Sequence, residues 1–101
     1  MAAPNQVNNN VIYFNATDQE LATIKFRIKA IVWTSSEGAG LDIAADDDML
    51  LEDGAGNKIV GKRAESAGDG LELAIPGGLD VYGIKAEDLD GGVIYVIGEA
   101  L

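Results

Sequence analysis

The stretch TIKFRIKAIVW, Thr23 to Trp33, decides the fold. Ile24, Phe26 and Ile28 alternate with Lys25, Arg27 and Lys29, the period-two pattern of a half-buried strand. A helix would scatter the three cations around its circumference. The alternation breaks at Ala30, Ile31, Val32 and Trp33. An uninterrupted strand would place Ile31 and Trp33 on the cationic face. Either a β-bulge near Ala30 swaps the faces, or the second face is itself covered beyond residue 30. In the first case Trp33 returns to the chain's own core and the cations offset nearby Asp and Glu. In the second it anchors an interface with a charged rim.

Outward from this strand, further short runs carry the same signature. Val11 to Asn15 (VIYFN) is β-branched and aromatic, which suits a strand buried on both faces or lying on a partner. Ala16 to Ala22 reads as a polar connection or one helical turn, since the capping-box pair Thr17 and Glu20 is not followed by helical periodicity. Leu41 to Ala45 reads as a short strand and Asp46 to Asp48 as a charged turn. Met49 to Asp53 and Lys58 to Lys62 read as a hairpin joined by Gly54, Ala55, Gly56 and Asn57. Leu71 to Ile75 alternates strictly, and Pro76 ends that strand or confines it to an edge. Leu79 to Lys85 is another strand, Ala86 to Gly92 a loop, and Val93 to Gly98 a closing strand. Seven to eight short strands at this spacing predict an all-β, single-domain antiparallel sandwich or barrel over residues 11–101. Residues 1–10, with Pro4 and three asparagines at 8–10, read as a polar arm.

Composition narrows the functions. With 101 residues, 48% hydrophobic and 24% charged, the chain is expected to fold as one globular domain with one thin core. Thirteen glycines favour tight turns over long helices. There is no cysteine and no histidine, which removes disulfides, the usual zinc ligand sets and every nucleophile–histidine pair. No apolar run approaches the ~18–20 residues that span a bilayer. The opening MAAPNQVNNN has neither the cationic nor the apolar region of a signal peptide, so the chain is expected in the cytoplasm where it is made. The net charge of −10 opposes nucleic-acid binding and favours solubility.

Candidate chemistry is sparse. The close carboxylates Asp42, Asp46, Asp47, Asp48 and Asp53 lack the enclosed groove that acid–base catalysis needs. They also fail as an EF-hand loop, because Met49, Leu50 and Leu51 occupy ligand positions. Neither the Gly54–Asn57 turn nor Gly68–Gly70 has the lysine and helix of a phosphate loop. No catalytic, cofactor or metal residues are assigned. The six aromatics offer little for a sugar platform, since most must serve the core.

The order IKFRIKAIVWTSS…GLDI, LEDGAGNKIV, IPGGLDVYGIKAEDLDGGVIYV resembles a loose group of small bacteriophage structural proteins. Its features are a basic strand ending in tryptophan (Lys29 to Trp33), an Asp–Gly–Asn hairpin (Asp53 to Lys58), a glycine before a V-x-G-I strand (Gly78 to Ile84), and a D-x-G-x-x-Y-V close (Asp90 to Val96). The resemblance covers roughly residues 24–98. It implies a non-enzymatic virion component, a head decoration or cement protein that binds and stabilises the capsid shell. The expected partners are the major capsid protein or another virion protein, together with further copies of the chain, and neither nucleic acid nor membrane. The expected location is the capsid surface, with the host cytoplasm before assembly. The alternatives are a carbohydrate- or receptor-binding fibre tip, or a small tail or head-completion component. The expected interface residues are Val11, Ile12, Tyr13, Phe14, Lys25, Arg27, Lys29 and Trp33.

Overall fold

A computed structural model describes residues 5–7 (backbone only), 10–36 and 41–101. Among the described residues it is all-β, with 67% strand and no helix. The strands are β1 (Asn5–Val7), β2 (Val11–Phe14), β3 (Gln19–Thr34), β4 (Asp48–Asp53), β5 (Lys58–Arg63), β6 (Leu71–Leu89) and β7 (Val93–Ala100). They form one sheet in the order β1-β2-β7-β3-β6-β4-β5, and every neighbouring pair is antiparallel. β7 therefore lies between β2 and β3. Of the polar arm expected over residues 1–10, positions 1–4, 8 and 9 lie outside the described residues. Asn5–Val7 pair with β2.

Two strands are far longer than the short runs the sequence suggested: β3 has 16 residues and β6 has 19. Bulges make this possible. Ile28 faces Gly98 of β7, and Ala30 faces Ile97, so Lys29 is an extra residue on β3. The faces swap there: Phe26 and Ile28 are buried before it, Ile31 and Trp33 after it. The break in TIKFRIKAIVW is thus a bulge one residue before Ala30, and Trp33 belongs to the chain's own core.

Across the same point on β6, Ile28 faces Leu79 while Ala30 faces Ala74. Ile75, Pro76, Gly77 and Gly78 loop out, with φ of 80° and 79° at the two glycines. Pro76 does not end the strand, because its missing N–H falls inside a bulge where no ladder bond is required. Further along β6, Leu50 faces Asp88 and Leu51 faces Ala86, leaving Glu87 as an extra residue. That bulge puts both Ala86 and Leu89 in the core, so the expected loop over Ala86 to Gly92 is strand as far as Leu89.

Two other segments differ from expectation. Leu41 to Ala45 is not a strand. Buried Ile43 is held instead by single bonds, its N–H donating to Ser35 Oγ (2.9 Å) and its carbonyl accepting from Gly68 N–H (2.8 Å). The connection before the basic strand is short, because β3 starts at Gln19 after a left-handed Asp18 (φ 66°). Thr17 caps no helix. Its hydroxyl accepts from Leu89 N–H (2.8 Å), tying this corner to the end of β6.

One hydrophobic cluster joins Ile12 and Phe14 of β2, four β3 residues including Trp33, Met49 and Leu51 of β4, Ile84 of β6, and Ile94 and Val96 of β7. The hairpin tip locks onto β6. Gly54 N–H donates to Tyr82 O (3.0 Å), and a Cβ on Gly83 (φ 78°) would lie 2.7 Å from Gly54 Cα. Only glycine permits both this backbone conformation and this approach.

Candidate interaction face

The outward side of β2, β7, β3 and β6 forms two aligned rows, apolar or aromatic except for Glu72 at the end of the second. In one, Val11, Ile97, Ala30 and Ala74 follow one another across the four strands. In the next, Tyr13, Tyr95, Val32 and Glu72 do so. Tyr13 and Tyr95 are half-buried, their ring centroids 5.2 Å apart at 48°. Burial is the main cause that raises the pKa of Tyr13 above its ordinary value, so its hydroxyl stays neutral.

An ionic band borders the rows. β3 lies between β6 and β7, so Arg27 stands opposite Asp80 on one side and Glu99 on the other. Its Nε donates to Asp80 Oδ1 at 2.7 Å and its Nη2 to Oδ2 at 3.2 Å, a two-pronged contact. Glu99 lies 3.5 Å from Arg27 Nη1 and 3.6 Å from Lys29 Nζ. The hydrogen bond to Arg27 holds the Asp80 carboxyl below the usual carboxylate range. Lys25 sits 5.9 Å from the ring centre of Tyr82, which is 57% exposed.

Of the eight residues expected at an interface, Lys25, Arg27 and Lys29 share this band, and Val11 and Tyr13 join the apolar rows. Ile12, Phe14 and Trp33 point the other way. All three are buried in the chain's own core, and Trp33 Nε1 donates to Gly91 O at 2.8 Å. They support the face from beneath and cannot touch a partner. Missing from the sequence expectation are Tyr95, Ile97, Val32, Asp80, Glu99 and Tyr82. They reach the face by pairing across long sequence separations, which a run of alternating residues does not encode.

A second polar site lies at the end of β6. Carboxylate oxygens of Asp48, Asp88 and Asp90 come within 4.8 Å of one another. Arg63 donates to both oxygens of Asp48 (3.0 and 3.2 Å), and Asp90 Oδ2 accepts from Asp48 N–H (2.9 Å). Burial, then the hydrogen bond with Asp90, pushes the Asp88 pKa up to about 6. The cluster's charge is therefore met by Arg63 and, below that pH, by a proton on Asp88. Of the acids Asp42, Asp46, Asp47, Asp48 and Asp53, Asp48 alone joins it.

No protein-family model matches the chain, and neither a curated protein nor a solved structure matches it.

Proposed function

We propose that the chain is a non-enzymatic bacteriophage structural protein, a head decoration protein whose sheet closes round its core as a β-sandwich or barrel. The observation that carries this reading is the outward face: a four-strand surface with apolar and tyrosine rows beside the Arg27–Asp80–Glu99 band. Such a surface suits another protein better than a small molecule, which binds in concave sites. The phage setting rests on the sequence resemblance. A charge of −10 suits a component that must stay soluble until it meets its shell. Electron cryomicroscopy of purified particles tests it. The expected result is this chain on the shell in hundreds of copies, with Tyr13, Tyr95 and Val32 facing capsid protein. Tens of copies at a fibre tip would replace it with the receptor-binding alternative, which the exposed ring of Tyr82 favours.

A further inference from the structure

The sheet's strand edges are not alike. Among the described residues β5 pairs only with β4, and its sequence carries Lys58, Lys62 and Arg63, the kind of charged residues that discourage strand addition. The first part of β6 has a different character. β4 pairs with β6 only from Ile84 to Leu89, so among the described residues Leu71–Ile75 has β3 on one side and no strand on the other. This segment, LELAI, has no Lys, Arg or Pro. Leu71, Leu73 and Ile75 pack against the core cluster yet remain only partly buried, and Glu72 and Ala74 are exposed on the outer face. The half-covered leucines lie at the point where one more strand would complete the layer.

We infer that Leu71–Ile75 pairs with the same segment of a second copy, antiparallel about a two-fold axis at Leu73. Charge selects that register. Centred on Leu73, Glu72 of each chain faces Ala74 of the other, and Leu71 faces Ile75. Centred on Glu72, two carboxylates would oppose each other. Centred on Ala74, Glu72 would face Pro76, which has no N–H to pair. The favoured register uses all five residues and continues the inner row from Ile31 through Leu73 into the second copy, since Ile31 faces Leu73 within each chain. The limits of the contact are built in. Lys62 Nζ occupies Gly70 O at 2.7 Å on one side, and the Pro76–Gly78 bulge closes the other. An isologous contact consumes the edge that makes it, so association stops at two. Five residues per chain make a small interface, with a dissociation constant on the order of micromolar or weaker.

Sedimentation of the isolated chain, from micromolar to about 1 mM, tests the dimer without any particle and so independently of the decoration reading. The wild type is expected to pass from monomer to dimer across this range. Ala74 is exposed, so charges there leave the fold intact, as circular dichroism would verify. Ala74→Lys creates two Glu–Lys pairs across the axis and should tighten the dimer. Ala74→Glu creates two Glu–Glu pairs and should loosen it, each by about 2- to 30-fold. Glu72→Lys combined with Ala74→Glu should restore tight association. A wild type that stays monomeric throughout, or Lys and Glu variants that shift in the same direction or not at all, would overturn the inference.

Discussion

Trp33 shows how one side chain can answer a question that charge patterning poses. It is 1% exposed and donates to Gly91 O, so Trp33→Ala removes a buried ring and orphans a buried carbonyl. A loss of roughly 3–5 kcal/mol in urea unfolding is expected. Asp88 acts in the opposite sense. Its pKa rises from 3.8 to about 6 on folding, so the folded state binds the proton more tightly than the unfolded state. Its contribution to stability is full below about pH 4, declines as the pH rises towards about 6, and stays low above that. Asp48, Asp53, Asp69 and Asp80 are held below 3.8, so their contributions are present above that pH and fade in stronger acid. Maximum stability is expected in the mildly acidic range. Asp88→Asn should flatten the decline between pH 4 and 6, measured as melting temperature against pH, and should raise the melting temperature at pH 7.

At the scale of elements, the bulges divide what the sequence reveals from what it conceals. Ile24 to Ile28 was legible because alternation there is unbroken. The hairpin read over Met49 to Lys62 was legible, to within a residue at each end, because its turn chemistry is local: Asp53 Oδ1 accepts from Ala55 N–H and Asn57 N–H, both at 2.9 Å. β6 was not legible as one strand, since Ile75–Gly78 and Glu87 each interrupt its period and mimic loop ends. The candidate face was half legible. The cations stood out, but Asp80 and Glu99 join Arg27 only once the strand order is known. The docking of the hairpin tip gives a test at this scale. Gly83→Ala would strain a left-handed residue and push a Cβ against Gly54 Cα and Ala22 O, at 2.7 and 2.9 Å. A cost of about 1–3 kcal/mol is expected, with faster hydrogen exchange across the β4–β5 hairpin than elsewhere.

For the molecule as a whole, the radius of gyration is 12.5 Å and the extents are 35 × 33 × 22 Å, a flattened body with a broad face. The sheet order carries a consequence in time. β7 lies between β2 and β3, pairing Val11 with Ile97 and Trp33 with Ile94. While the chain is being synthesised, β2 and the second half of β3 therefore each lack one neighbouring strand until residues 93–100 have left the ribosome. The sheet is therefore expected to close only in a late step, when β7 can enter between them. Refolding in milliseconds to seconds, rather than microseconds, is expected by stopped-flow fluorescence of Trp33, as for other sheets built on distant pairings. A chain stopped at Gly92 should show no cooperative unfolding transition, while the full chain shows one. By Gly92 all but one of the seventeen Asp and Glu have been made, so like-charge repulsion is expected to oppose association of neighbouring polysomal chains during that interval.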